Sequence, residues 1–96
     1  MEDYKKYEDL AEILKVISHP IRITILAGLL QRKSCVKDIW DCLGLPQATV
    51  SQHLAILKNK HIIKAEKKGV KREYYVSNPK VAELIKAMIN IFGTTN

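Results

Sequence analysis

The sequence predicts a small, mostly α-helical domain that carries one β-hairpin, in the order α-α-α-α-β-β-α. Three observations lead to this fold class. Apolar residues recur at intervals of three and four along several segments, as on the inner faces of helices. Serine, proline or glycine separates those segments. One stretch departs from the helical pattern: residues 62–77 have β-branched and aromatic side chains on both sides of a glycine, which is typical of a hairpin.

Length and composition fit a single domain over residues 1–96, because 47% of the 96 residues are hydrophobic and can form an ordinary core. No apolar run approaches the roughly 18 residues of a membrane span, so no membrane partner is expected. The polar start MEDYKKYEDL is unlike a secretory signal. Two cysteines without such a signal fit a reducing compartment, and the expected location is the cytoplasm.

An apolar stripe at i, i+3, i+4 and i+7 predicts the first helix. Its members are Leu10, Ile13, Leu14 and Ile17. The tripeptide SHP ends this helix, with Ser18 as the expected cap and Pro20 as the opening residue of the second helix. The second helix, PIRITILAGLLQ, is apolar nearly all round and is therefore expected to be central and buried.

A short helix, a glycine turn and a longer helix are predicted next. Ser34 can cap the short helix CVKDIWDCL, Gly44 supplies the left-handed residue that ends it, and Pro46 starts the longer helix. The inner face of the longer helix consists of Val50, Leu54 and Leu57. This succession is the helix-turn-helix arrangement.

The outer face of the longer helix carries small and neutral polar side chains, where a solvated helix usually carries charges. Its members are Ala48, Gln52, Ala55 and Asn59, with Ser51 beside them. Small residues permit close approach to a groove, and glutamine can form two hydrogen bonds with adenine. The pattern favours DNA as the ligand; an ordinary polar surface is the alternative.

All of the excess positive charge lies in one stretch. The net charge is +6, and the segment from Lys58 to Arg72 contains seven lysine or arginine residues and one glutamate, so it accounts for the whole excess. Such a patch indicates phosphate or another polyanion, and a merely soluble lysine-rich surface is the alternative. The predicted hairpin tip carries Lys67, Lys68, Lys71 and Arg72, as expected of a wing that holds the DNA backbone.

Pro79 opens a last helix whose apolar stripe is Val81, Leu84, Ile85, Met88 and Phe92. The first and last helices are peripheral to the helix-turn-helix, and so short a chain exposes much apolar surface. We therefore expect a homodimer formed through these two helices. The expected interface residues are Leu10, Leu14, Leu84 and Met88.

Three segments resemble the ArsR/SmtB family of winged helix-turn-helix repressors. SHPIRITIL resembles the family's second-helix pattern HPxRxxIL. CLGLPQATVSQHLAILKNKHII resembles its recognition pattern LGLSQSTVSxHLxxLxxAGLV, and KKGVKREYYVS resembles its wing pattern RxGxxxxYxL. The resemblance covers about residues 10–90. It implies a sequence-specific transcriptional regulator, a repressor that binds a roughly palindromic double-stranded DNA operator as a homodimer. An inducer usually releases such repressors, and the sequence does not identify one.

The resemblance also assigns roles to individual residues. The base-reading positions fall on Gln47, Ala48, Ser51 and Gln52. The phosphate and wing contacts are Thr49, Lys58, Lys67, Lys68, Lys71 and Arg72. Trp40 departs from the pattern, because a small residue such as alanine is usual there, and it predicts different packing in front of the recognition helix.

The metal sites of the family are not matched. Where metal-binding members have Cys-Val-Cys-Asp, this chain has CVKD at residues 35–38, and a lysine in place of the second thiolate disfavours a metal. The positions of another family site hold Asn78, Lys80, Ile91 and Thr94, which are unconvincing ligands. His19, His53 and His61 do not cluster in sequence and are interpreted as structural. No metal or cofactor is therefore expected.

Cys35 is the residue that supports an alternative within the family, a thiol-responsive regulator. Lys33 and Lys37 flank it at an expected helix N-terminus, where a thiolate is favoured. Cys42 is expected to be a small buried apolar residue. On one helix the two cysteines would be about 10.5 Å apart, too far for an intrachain disulfide.

Two other function classes compete with a sequence-specific regulator. An enzyme has little support, because the chain has no glycine-rich phosphate loop, nucleophile motif or recognisable carboxylate pair. A module that binds nucleic acid without sequence preference, or an acidic protein, is the more serious alternative. Preference for a palindromic duplex distinguishes the regulator from this module.

Overall fold

The computed structural model describes residues 2–32, 40–41 and 43–93. Within these residues lie α1 (Glu2–Ile17), α2 (Pro20–Arg32), α3 (Gln47–Asn59), β1 (Ile63–Lys68), β2 (Lys71–Val76) and α4 (Pro79–Phe92). Trp40, Asp41 and Leu43 are also helical, where the short helix was expected to end. The predicted class, mostly helical with one hairpin, is confirmed. The predictions about Ser34, Cys35, Lys37 and Cys42 lie outside the described residues.

The junction between α1 and α2 bends the chain by 95°. His19 caps α2: its Nδ1 atom accepts a hydrogen bond from the Ile21 amide at 3.1 Å, and its carbonyl accepts one from the Ile23 amide at 2.9 Å. The prediction that Ser18 caps this helix is therefore wrong. Pro20 is the first helical residue, as predicted, and the residue directly before it occupies the N-cap position.

The core draws apolar side chains from every helix and from the hairpin. Its buried members are Ile17, Ile25, Leu26, Leu29, Val50, Leu54, Leu57, Ile62, Ile63, Tyr74, Val81 and Ile85. Helix α2 is central, as predicted, and packs against α3, β2 and α4. No polar or charged side chain is buried in the described part of the chain.

The apolar stripe of α1 divides between core and surface. Ile17 is buried and Ile13 packs at the edge of the core, whereas Leu10 and Leu14 are 44% and 41% exposed. Helix α4 divides in the same way, because Val81 and Ile85 are buried and the last apolar residue of its stripe is exposed. Each terminal helix therefore presents apolar side chains to solvent.

The turn in front of α3 is the one predicted. Gly44 has φ of +66°, and its amide donates to the carbonyls of Trp40 at 3.0 Å and Asp41 at 3.3 Å, while the Leu45 amide also donates to Trp40 at 3.3 Å. These bonds form a Schellman motif, which ends the preceding helical turn. Trp40 is half-buried and packs against the core. Helix α3 then begins at Gln47, one residue later than predicted.

The hairpin is antiparallel and in simple register. Ile63 lies opposite Val76, and Lys68 lies opposite Lys71, so that Gly69 and Val70 form a two-residue turn. Gly69 has φ of +66°, which a residue without a Cβ adopts at little cost. The turn therefore lies where it was predicted, and β1 packs against α3.

No single helix in the described ranges is long and apolar enough to cross a membrane. The bent pair 3–17 and 20–31 meets the length and composition criteria only when its two helices are taken together.

Candidate nucleic-acid interface

Helix α3 separates an apolar inner side from a polar outer side. Val50, Leu54 and Leu57 are buried, as predicted, and hold the helix against the rest of the core. Its outer face is exposed and consists of Gln47, Ala48, Ser51, Gln52, Ala55 and Asn59. A buried side chain in each turn keeps this face in a fixed position relative to the core.

The four residues predicted to read bases are all exposed on this face. None of Gln47, Ser51 and Gln52 uses its side chain in a hydrogen bond or ion pair within the described ranges. Thr49, predicted to contact phosphate, is half-buried. The exposed amide and hydroxyl groups are therefore available to an external partner.

The N-terminus of α3 has no side-chain cap. Pro46 occupies the N-cap position and has no side chain that can accept the first helical N–H groups. The Val50 amide bonds the Pro46 carbonyl at 3.2 Å, so the free donors belong to the residues before it. The helix dipole adds partial positive charge at this end.

The hairpin tip, residues 67–72, places like charges opposite each other. Lys67 pairs with Arg72 and Lys68 with Lys71 in the strand register, and all four side chains are exposed. Like charges directly opposite each other repel and destabilise a hairpin. A polyanion relieves that repulsion. Lys58, in the last turn of α3, is exposed as well.

A carboxylate just outside the basic segment Lys58–Arg72 contributes to the charge of the hairpin. Glu73 lies just outside the basic stretch, opposite Glu66 in the register, and its Oε1 atom is 3.8 Å from the Nζ atom of Lys68. The Lys68 side chain is about half exposed, so this ion pair contributes little to stability. Lys68 can therefore exchange Glu73 for a phosphate at small cost.

Two histidines that are far apart in sequence meet between α2 and α3. The ring centroids of His19 and His53 are 4.5 Å apart, with the planes tilted by 45°. Arg22 contacts His53 as well: its Nε donates to Nδ1 of His53 at 3.1 Å, and its Nη1 donates to the Val16 carbonyl at 2.8 Å. Sequence spacing did not predict this contact, in which 34 positions along the chain are brought together across the helix pair.

Burial lowers the pKa of His53 below its ordinary value of 6.5, and the nearby His19 and Arg22 lower this pKa further. The neutral ring is therefore favoured, in agreement with a Nδ1 atom that accepts from Arg22. All three residues belong to the segments that carry the family resemblance. The resemblance was therefore the only sequence signal that linked the two segments. The spacing of the residues does not predict that His19, Arg22 and His53 meet.

The third histidine ends α3. His61 has φ of +61°; its amide donates to the Lys58 carbonyl at 3.0 Å, and the Ile62 amide donates to the Leu57 carbonyl at 3.0 Å. This is a second Schellman motif, with histidine where the family pattern has glycine. An L-residue in the left-handed region is strained, so His61 holds a position that glycine suits better.

A groove of about 800 Å³ lies between α1 and α4. Its apolar lining includes Leu10, Ile13, Val81 and Leu84. Two of these, Leu10 and Leu84, are predicted interface residues. The remaining two predicted interface residues do not line the groove: Leu14 is exposed and Met88 is half-buried. The structure therefore brings the predicted interface residues to the surface of the two terminal helices.

No group of three or more potential metal ligands occurs within the described ranges. The segment 35–38 and Thr94 lie outside those ranges, so the absence of a metal site remains a prediction. The thiol response of Cys35 also remains a prediction, because Cys35 lies outside the described ranges.

Comparison with known proteins decides the family. A family model described as the arsR family of bacterial regulatory proteins matches residues 19–65. The chain is 40% identical over 87 residues to the transcriptional repressor PagR of Bacillus anthracis, a match that covers 90% of this chain and 87% of PagR. The chain belongs to the arsR family. An uncharacterized HTH-type regulator of Methanocaldococcus jannaschii is 46% identical over 83 residues, covering 85% of this chain and 93% of that protein.

Solved structures agree with this arsR-family assignment. The crystal structure of PagR superimposes with a TM-score of 0.79 at 41% identity and covers 88% of this chain and 98% of its own. The repressor BigR of Xylella fastidiosa superimposes with a TM-score of 0.88 at 27% identity, covering 95% and 90%. The arsR-family chain is thus a DNA-binding transcriptional regulator with a winged helix-turn-helix fold, and it is not an enzyme.

Proposed function

We propose that this arsR-family regulator is a homodimeric repressor that acts in the cytoplasm on a roughly palindromic operator. In this proposal the outer face of α3 reads bases and the hairpin tip holds phosphates. The observation that supports it most directly is the outer face itself, where exposed amides and hydroxyls lie on a helix held by three buried side chains.

The composition of the outer face suits the major groove, which admits an α-helix. Gln47 and Gln52 can each donate to and accept from an adenine edge. Ser51 can pair with several bases, and Ala48 allows the helix backbone to approach the groove closely. Thr49 and the uncapped helix N-terminus suit phosphate oxygens.

The hairpin tip suits the sugar-phosphate backbone. Its four cations face each other across the two strands, and a phosphate between them relieves their mutual repulsion whatever the base sequence. Lys58 extends the same charge to the end of α3. We therefore assign Lys58, Lys67, Lys68, Lys71 and Arg72 to affinity, and the face of α3 to discrimination.

The exposed apolar side chains of the terminal helices support the homodimer. Leu10 and Leu14 on α1 are exposed, and so are large apolar residues at the ends of both helices. A groove opens between α1 and α4. Apolar surface of this kind usually marks an interface. A two-fold dimer presents two copies of α3, which suit half-sites about 34 Å apart along the duplex.

Leu14→Glu tests the dimer without disturbing the core, because Leu14 is exposed in the single chain. We expect sedimentation to give half the mass of the wild-type protein. Operator affinity should fall on the order of 100-fold or more, because each monomer then binds a single half-site. Lys15→Glu is the matched control, since it adds the same side chain to an already charged position. A Leu14→Glu variant that still sediments as a dimer contradicts the proposed interface.

Footprinting on the promoter of the chain's own operon tests the operator. A protected palindrome that competes at least 100-fold better than random duplex supports the repressor, within the range of known specificity ratios. Equal competition by random duplex favours the module without sequence preference. If the chain binds an acidic protein and no duplex, it is a protein-binding module.

A further inference from the structure

Arg22 forms hydrogen bonds with two elements other than its own helix. Its Nη1 atom donates to the carbonyl of Val16, in the last turn of α1, at 2.8 Å. Its Nε atom donates to Nδ1 of His53, in the middle of α3, at 3.1 Å. The rigid fork of a guanidinium fixes the angle between its two bonds. One side chain of α2 thus ties the end of α1 to α3.

We propose that Arg22 and His53 are positioning residues for operator recognition, and that the neutral His53 ring sets the orientation of α3. This inference rests on the proposed reading role of α3. His53 directly follows Gln52, which is exposed, and directly precedes Leu54, which is buried. A shift of the His53 ring therefore changes the placement of Gln52 with respect to the core.

The positioning bond requires an unprotonated Nδ1 atom. Arg22 offers only donors, so a proton on Nδ1 of His53 removes the acceptor and places donor against donor. The ionisable groups that act on His53 are Arg22 of α2 and His19, which caps α2. None from α1, β1 or α3 itself contributes in the described part of the chain. Protonation would add a positive charge beside Arg22.

The sign of the pH effect follows from these contacts. The pKa of His53 lies below 6.5 in the folded chain because of burial, His19 and Arg22, whereas the unfolded chain retains the ordinary value. The unfolded chain therefore binds more protons as the pH falls below about 6.5, and stability rises with pH through that window. The arrangement of α3 is fully maintained above it and is lost progressively on acidification.

The Arg22 bridge also connects the two proposed surfaces. Val16 belongs to the helix that carries Leu10 and Leu14, whereas His53 belongs to the helix that carries the outer face. Because the bonds run through one guanidinium, a shift of the end of α1 is transmitted to α3. Positioning by Arg22 is thus distinct from direct contact with DNA.

The test compares affinity for operator and for random duplex between pH 7.5 and pH 5.5 at constant ionic strength. For the wild-type protein we expect the operator-to-random ratio to fall about tenfold on acidification, because loss of one hydrogen bond worth about 1.4 kcal/mol changes an equilibrium by that factor. His53→Asn keeps an acceptor at the place of Nδ1 but does not titrate, so its ratio should be independent of pH. His19→Asn keeps the helix cap but removes one of the two neighbouring groups that lower the pKa of His53, so its ratio should begin to fall at a higher pH than the wild-type ratio.

Conservative rescue separates positioning from packing. At pH 7.5, His53→Leu should lower the ratio about tenfold, and His53→Asn should recover most of that loss because the bond to Arg22 is restored. Arg22→Lys should lower the ratio although it keeps the positive charge, since an ammonium cannot hold both acceptors with the same geometry. Thermal melting identifies any variant that fails to fold, and His53→Asn remains informative in that case.

The outcomes distinguish this inference from the proposed reading role. If Gln52→Ala leaves the operator-to-random ratio unchanged, the reading role of α3 is wrong. If Gln52→Ala lowers the ratio but His53→Asn keeps the wild-type pH profile, the positioning inference alone is overturned. It is also overturned if His53→Leu weakens operator and random DNA equally, as a loss of folded protein would.

Discussion

The outer face of α3 and the hairpin tip are both exposed and are assigned to the same ligand, but they are anchored very differently. Under α3, Val50, Leu54 and Leu57 are buried, one in each turn. In the tip every residue from Lys67 to Arg72 is exposed, and the nearest buried side chain on β2 is Tyr74.

The difference in anchoring matches the difference in chemistry. Hydrogen bonds to base edges need donors and acceptors at fixed positions, which the core beneath α3 supplies. Coulombic attraction to phosphate falls off slowly with distance and tolerates movement. The molecule therefore combines a fixed neutral surface with a charged surface that needs no such support. Four substitutions test this comparison, from the largest expected effect to the smallest.

Gln52→Ala removes a side chain from the fixed surface. Operator binding should weaken by about 1–3 kcal/mol, which is about 5- to 150-fold in Kd, while random DNA is bound as before. Fluorescence anisotropy on both duplexes measures the change. Gln31→Ala, an exposed glutamine on α2, is the control and should affect neither duplex. Equal weakening of both duplexes by Gln52→Ala would mean that α3 supplies affinity rather than discrimination.

Lys68→Ala removes a charge from the tip. Both duplexes should be bound more weakly by about 1 kcal/mol, and the slope of log affinity against log salt should flatten by about 1. A salt titration on each duplex gives both quantities. Lys86→Ala on α4 removes a similarly exposed lysine and should leave the slope unchanged. A loss confined to the operator would contradict the assignment of Lys68 to phosphate.

His61→Gly should strengthen the anchoring of α3 at its C-terminal end. Glycine relieves the strain of φ at +61°, so the free energy of unfolding should rise by about 0.5–1 kcal/mol with no change in the operator-to-random ratio. Chemical denaturation measures the gain. His61→Ala is the matched control, because it removes the imidazole but keeps a Cβ. An equal gain from alanine would show that backbone strain is not the cause.

Glu73→Gln should strengthen the charged surface slightly. It frees Lys68 and removes the carboxylate that faces Glu66, so both duplexes should bind about twofold more tightly, a few tenths of a kcal/mol. Glu83→Gln on α4 removes a carboxylate from an ion pair with a similarly exposed lysine and should change nothing. Weaker binding by Glu73→Gln would show that the ion pair orients Lys68 for DNA.

Much of this arrangement was predictable because it depends on local periodicity. The spacing of Val50, Leu54 and Leu57 assigned the two sides of α3 correctly. Gly44 and Gly69 marked the turns because each adopts a positive φ that favours glycine. The charge of the hairpin was visible as a cluster in the sequence. These features need only neighbouring residues.

Features that depend on packing were missed. The contact of His19 with His53 spans 34 positions and exists only because α2 crosses α3. The positive φ of His61 was missed because a histidine gives no sign of it, although the family pattern has glycine there; the hydrogen bonds around His61 impose that conformation. Glu73 escaped notice because cross-strand pairing, and not sequence proximity, sets it against Glu66.

Pro46 illustrates a conflict between folding and function. A serine or aspartate at a helix N-cap typically adds about 1 kcal/mol of stability, and this chain does without it. An aspartate here would satisfy the first amides of α3 in the free protein, but its charge would occupy the place proposed for a phosphate and repel it. The free regulator is thus less stable than its fold permits. DNA, acting as the missing cap, would restore that stability only in the complex.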